Sequence, residues 1–106
     1  MKKDNPLEIF KREAPEIQQA YAGVIKALIA SNGLDAKTKQ LVYIAMKVVA
    51  DDRNAIKYHV PLARAAGATR DEVKDVILLS LTVNGLKGIS MYLPEALEAY
   101  DGNQVI

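Results

Sequence analysis

The chain has 106 residues, half of them apolar and a quarter charged, and its 14 basic and 13 acidic side chains give a net charge of +1. This composition predicts one globular domain over residues 1–106. The near-neutral charge argues against a nucleic-acid-binding surface, and no apolar run approaches the about 20 residues that cross a bilayer. The absence of cysteine excludes disulfides, thiolate chemistry and cysteine-based zinc sites, and is typical of a cytoplasmic protein.

Helix signals begin near the N-terminal end. Asn5 and Pro6 fit the cap and the first position of a helix, where a missing N–H costs nothing. A second helix is expected from about Pro15, since apolar residues then recur with helical spacing, and Asn32-Gly33 is expected to end it in the left-handed conformation. The residues of this apolar face are Ile17, Ala20, Tyr21, Val24, Leu28 and Ile29.

The third helix is predicted to be apolar around most of its circumference. Asp35 is expected to cap it, and Lys47 is its main polar exception. A helix without a clear polar face is either central to the core or shared with another subunit. A fourth helix is expected over about 52–66, ending at Gly67 and kinked at Pro61.

The C-terminal half also predicts helices. Thr69 and Glu72 form a capping box that opens a fifth helix. The apolar run VILLSLTV (76–83) is compatible with a buried strand, but the capping box favours a helix. A last helix is expected over about 89–100, either kinked or begun afresh at Pro94, with fraying from Asp101. Together the signals predict an all-α, single-domain bundle of about six helices.

Residues 34–83 resemble the carboxymuconolactone decarboxylase family, within the superfamily that includes alkylhydroperoxidase D (AhpD). The resemblance lies in the order and spacing of three motifs: LDAKTKQL entering an apolar helix, a histidine before Ala-Gly-Ala-Thr (66–69), and the acidic helix start RDEV. It implies an AhpD-like helical bundle that assembles into a ring-like homo-oligomer, a trimer or commonly a hexamer. It also implies that neither a metal nor an organic cofactor is needed.

Redox members of the superfamily carry Cys-x-x-Cys-x-x-x-His and an upstream glutamate that relays protons. When this pattern is laid on His59, the cysteine positions hold Asp52 and Ala55, and the glutamate position holds Gln40. Thiol peroxidase activity therefore does not carry over. The resemblance points instead to the branch that removes CO₂ from a small carboxylated unsaturated lactone.

His59 is the only histidine and the only ordinary side chain that exchanges a proton near neutral pH. It is either a catalytic proton donor or a core histidine bonded to a backbone carbonyl. Gln40 cannot ionise, so it either orients a substrate or holds His59, or else it is an ordinary surface glutamine. His59 and Gln40 are the predicted catalytic residues, and no cofactor or metal ligand is predicted.

The basic residues of the fourth helix are the next candidates, because a carboxylated substrate favours a cationic partner. Arg53, Lys57 and Arg64 lie across that helix from His59, so they either form a solvated face or complete a site in a neighbouring subunit. Asp51 and Asp52 point about 100° apart if both are helical. They are interpreted as the end of one helix and the start of the next rather than as metal ligands.

Two functional hypotheses follow. The first is a cofactor-free lyase with His59 as the proton donor and Gln40 as its helper. The second is a non-catalytic oligomer that binds a small ligand or a partner protein. Both include self-association, because the third helix and the run at 76–83 carry more apolar surface than so short a chain can hide.

Overall fold

The computed structural model describes residues 5–102, and all regular structure in that range is helical. The elements are α1 (Pro6–Glu13), α2 (Pro15–Ala30), α3 (Ala36–Val49), α4 (Arg53–Ala65), α5 (Arg70–Leu79), α6 (Leu81–Asn84) and α7 (Leu86–Asp101). Because α6 is a single turn, six longer helices make up the described chain. The all-α prediction is therefore confirmed. None of the helices in this range is long and apolar enough to span a membrane.

The chain divides into two compact units, with the boundary between Gly33 and Leu34. The first unit contains α1 and α2. Asn5 Oδ1 accepts a hydrogen bond from Leu7 N at 2.8 Å, which confirms the predicted start of α1. No residue of either helix is buried.

The end of α2 differs from the prediction. The helix stops at Ala30, because Ser31 leaves it in an extended conformation with φ −64° and ψ 144°. Ser31 Oγ donates to Leu28 O at 2.8 Å, and Ser31 N donates to Ala27 O. The last carbonyls are thus satisfied without a left-handed residue, and Gly33 has no positive φ.

The second unit packs α3, α4, α5 and α7 around one apolar core. Its buried residues are Ile44, Val48, Ile56, Val60, Ala63, Ala68, Val73, Ile77, Tyr92 and Ala96. Only two residues of α3 are buried, and Val42, Met46 and Val49 are 41%, 51% and 48% exposed. Of the two interpretations of this helix, the structure contradicts a central position in the core.

The predicted caps of the second unit are confirmed. Asp35 Oδ1 accepts from Thr38 N at 2.7 Å at the start of α3. Asp52 Oδ1 accepts from Ala55 N at 3.2 Å and begins α4. The capping box of α5 closes in both directions, with Glu72 N donating to Thr69 Oγ1 at 3.0 Å and Thr69 N donating to Glu72 Oε1 at 2.8 Å.

The run at 76–83 is helical as predicted, but it is interrupted at the buried Ser80, where α5 gives way to the single turn α6. Gly85 follows with φ +61° and lies between α6 and α7. That helix is continuous through Pro94, so no fresh helix begins there. Asp101 is its last residue and pairs with Arg70 at 2.9 Å, so α7 is intact to Asp101; the rest of the predicted frayed tail, from 103 on, lies outside the described residues.

Candidate functional site

The two residues predicted as catalytic meet between α3 and α4. His59 Nδ1 and Gln40 Oε1 are 2.8 Å apart, and both side chains are half-buried. Gln40 is therefore not an unattached surface glutamine, and the His59 ring nitrogen contacts a side-chain amide rather than a backbone carbonyl. The contact joins residues 19 positions apart in the sequence.

Two tyrosines complete the surroundings of the imidazole. The Tyr43 ring stacks on His59 at a centroid distance of 5.2 Å and an interplanar angle of 24°. The Tyr58 ring meets it edge-on at 5.1 Å and 81°, and Tyr58 itself is 66% exposed. Stacking and the Gln40 contact hold the imidazole in one orientation, while its partial exposure leaves it open to water or a ligand.

The Gln40 contact assigns the hydrogen on His59. Because Gln40 presents its carbonyl oxygen, His59 Nδ1 carries the hydrogen and donates it. In the neutral ring Nε2 then holds the free lone pair, and in the charged ring Nε2 carries the second proton. The hydrogen bond to Gln40 persists in both states, so proton exchange is confined to Nε2.

The charges around His59 come from both helices. Burial lowers the pKa of His59 below its usual 6.5, and the positive charge of Lys47 lowers it further, whereas the carboxylate of Asp52 opposes both effects. Lys47 Nζ and Asp52 Oδ2 form an ion pair at 3.6 Å. A lowered pKa makes the imidazolium a stronger acid and the neutral ring the prevailing form at pH 7.

Lys47 and Asp52 belong to this group, although neither is among the catalytic residues predicted from sequence. The available signal was the spacing of Gln40, Tyr43 and Lys47, which puts them on one face of α3 within about 60° of each other. From sequence alone, Lys47 is distinguished only as the main polar residue of an apolar helix.

The three basic residues of α4 all contact α7 rather than His59. Arg53 Nε and Lys57 Nζ pair with the two carboxylate oxygens of Glu95 at 3.3 and 3.5 Å, and that side chain is only 13% exposed. Arg64 donates to the Tyr100 carbonyl oxygen at 2.7 Å and lies 5.1 Å from the centre of its ring. Within one chain these cations link helices.

Asp51 forms a separate polar contact at the turn between α3 and α4. It is the one non-glycine residue between 5 and 102 with a positive φ, at +62°. Its carboxylate accepts a hydrogen bond from the buried Tyr92 hydroxyl and pairs with Lys87 Nζ at 3.5 Å. Burial and the neighbouring carboxylate raise the pKa of Tyr92 to about 12. These contacts fasten the turn onto α7, consistent with the interpretation of Asp51 as the end of a helix.

A polar groove of about 710 Å³ lies beside this turn. Its lining residues are Ala50, Asp51, Asp52, Arg53, Asn54, Lys57 and Glu95. Within this groove, Arg53 and Lys57 form the ion pairs with Glu95 that are described above. No three histidine, aspartate or glutamate residues within the described part of the chain are placed to hold a metal ion.

The fold and the site define the class of protein. The helical arrangement matches the crystal structure of apo-lpg0406, a carboxymuconolactone decarboxylase family protein from Legionella pneumophila, with a TM-score of 0.80 and 29% identity over 91% of this chain and 85% of that one. The bundle is therefore AhpD-like. The family model for the carboxymuconolactone decarboxylase family matches residues 15–99. The chain belongs to that family.

The chain is also similar to proteins that are described as uncharacterised. The chain is 31% identical to the uncharacterised protein MJ1511 of Methanocaldococcus jannaschii over 71 residues, which is 67% of this chain and 66% of that protein. It is 29% identical to the uncharacterised protein H16_B0147 of Cupriavidus necator over 87 residues, or 82% of this chain and 76% of that protein. The names of these two relatives do not state a reaction.

Proposed function

We propose that this protein is a lyase that removes CO₂ from a small carboxylated lactone or a related compound, with His59 as the proton donor. The observation that carries the proposal is the 2.8 Å contact between His59 Nδ1 and Gln40 Oε1. It fixes the imidazole and leaves Nε2 as the nitrogen that exchanges protons. Membership of the carboxymuconolactone decarboxylase family supports the class of substrate.

The proposed step needs one proton. The bond between the ring carbon and the carboxylate carbon breaks, CO₂ leaves, and the electron pair stays on the ring carbon. The charged His59 then gives its Nε2 proton to that carbon and becomes neutral. Water restores the proton, while Gln40 keeps Nδ1–H in place throughout. A positioned acid of this kind contributes about 10²–10⁴-fold to a rate.

The assay is CO₂ release from 4-carboxymuconolactone by the purified protein. We expect turnover by the wild type and a fall of at least about a hundredfold in kcat for His59→Ala. Lys74→Ala is the control, because the Lys74 side chain is 40% exposed on α5 and pairs with Asp71 of its own helix. No turnover by the wild type, or equal turnover by the His59 variant, would contradict the proposal.

We also propose that the protein works as a homo-oligomer, a trimer or hexamer, in the cytoplasm. Large apolar side chains remain exposed on α2, on α3 and around α6, and they exceed what a small monomer usually leaves in water. Sedimentation velocity should give a single species several times the mass of one chain, whereas Val42→Glu with Met46→Glu should shift it towards monomer. A stable wild-type monomer at micromolar concentration would refute the assembly.

The exposed faces also support the second hypothesis, a non-catalytic oligomer that binds a small ligand or a partner. The CO₂ assay separates the two. Oligomers that never turn over the lactone, with His59 intact, would favour the binding role.

A further inference from the structure

The proposed reaction involves a carboxylate, and such a group is held best by a fixed cation. The basic residues of α4 do not supply one within the chain, because each is already bonded to α7. Lys47 of α3 is different. It lies on the face of α3 that carries Gln40 and Tyr43, the two α3 residues that contact His59.

Lys47 lies one helical turn after Tyr43, whose ring stacks on His59. Its positive charge also helps to lower the pKa of His59. The Lys47 side chain is 38% exposed, so the ammonium group is accessible to a ligand from solution. Its one ion-pair partner among the described residues is Asp52, at 3.6 Å, and the Asp52 side chain is 45% exposed. Exposed ion pairs of this length contribute little to stability.

We propose that Lys47 binds the carboxylate of a ligand at the His59 site, and that Asp52 is its counter-ion while no ligand is bound. An incoming carboxylate competes with Asp52 for the ammonium group. Asp52 keeps its second role throughout, because its Oδ1 caps α4 by accepting from Ala55 N. The carboxylate class of the ligand rests on the proposed function, but binding can be measured without turnover.

The probe is benzoate, whose ring suits the exposed edge of Tyr58, and the control ligand is the uncharged benzamide. The His59 ring resonances are followed by NMR as each is added to the full-length protein. We expect a saturable shift with benzoate and none with benzamide. In Lys47→Met the affinity should fall at least about tenfold, the usual effect of losing a hydrogen bond between charged groups.

Two further variants test direction and specificity. Asp52→Asn should bind benzoate severalfold more tightly, because asparagine caps a helix as well as aspartate but does not compete for Lys47. Lys57→Met should bind like the wild type, since Lys57 lies on the other side of α4 and pairs with Glu95. Circular dichroism checks that each variant is folded.

The proposal fails if the wild type shows no saturable shift, if Lys47→Met binds normally, or if Lys57→Met loses as much affinity. The carboxylate-binding proposal and the lyase proposal can fail independently of each other. Benzoate binding that depends on Lys47 without any CO₂ release would overturn the lyase and support this inference. CO₂ release with an unchanged KM in Lys47→Met would support the lyase and overturn the proposed role of Lys47.

Discussion

Gly88→Ala is expected to lower the free energy of unfolding by about 1–3 kcal/mol, the usual cost of overpacking. Gly88 is buried on α7, where an added methyl group would collide with Ser80 Oγ and lie 3.2 Å from Ser80 Cβ and 3.4 Å from Val48 Cγ1. The clash cannot be relieved cheaply, because Ser80 is itself buried and its hydroxyl donates to Ile77 O at 2.6 Å. Urea unfolding followed by circular dichroism measures the loss.

The matched control is Gly23→Ala on α2. Nothing lies within 4 Å of the methyl group that this change adds, and alanine is favoured over glycine inside a helix by up to about 1 kcal/mol. The control should therefore be neutral or stabilising. Removing the hydroxyl with Ser80→Ala should recover part of the loss in the double variant. If Gly88→Ala has the same urea midpoint of unfolding as the wild type, the close contact between Gly88 and Ser80 is contradicted.

Tyr92→Phe is expected to lower the melting temperature at neutral pH by roughly 4–8 °C, the usual effect of losing one hydrogen bond in a domain of this size. The Tyr92 hydroxyl is the buried partner of Asp51 at the turn between α3 and α4. The loss should depend on pH, because this hydrogen bond, with Lys87, lowers the pKa of Asp51 below 3.8. A lowered pKa stabilises the fold above the unfolded value and ceases to do so as the pH falls through the folded value.

The difference between wild type and Tyr92→Phe should therefore shrink as the pH is taken below 3.8. Tyr100→Phe is the control, because the Tyr100 hydroxyl donates at 2.8 Å to the backbone carbonyl of Ala68, which does not titrate in this range. Its deficit should stay constant over the same pH interval. A Tyr92→Phe deficit that is constant down to pH 2 would show that the charge of Asp51 plays no part.

The helix starts could be predicted from sequence because their contacts are local. Asp35, Asp52 and Thr69 each bond to a backbone N–H three residues further on. The end of α2 could not, since a serine that bonds backward and leaves in an extended conformation makes a glycine stop unnecessary. The break at Ser80 is not predictable either, because an apolar run carries no local signal for the end of one helix and the start of the next.

The candidate site was predictable only in part. His59 and Gln40 follow from the family resemblance, but their contact spans two helices and appears only when α3 packs on α4. Arg53 and Lys57, which the helical spacing places across α4 from His59, pair with Glu95, a partner 42 and 38 residues away. Charge alone marks candidates, and the packing of helices decides which of them reach the site.

The pH dependence of CO₂ release tests the central claim, that His59 is the proton donor, most directly. If the charged imidazole supplies the proton, kcat/KM for 4-carboxymuconolactone should fall as the pH rises through the pKa of His59, which burial and Lys47 place below 6.5. His59→Ala should lose both the activity and this pH dependence. A wild-type profile that is flat or rises across that range, or a His59→Ala variant that keeps the wild-type profile, would contradict the account.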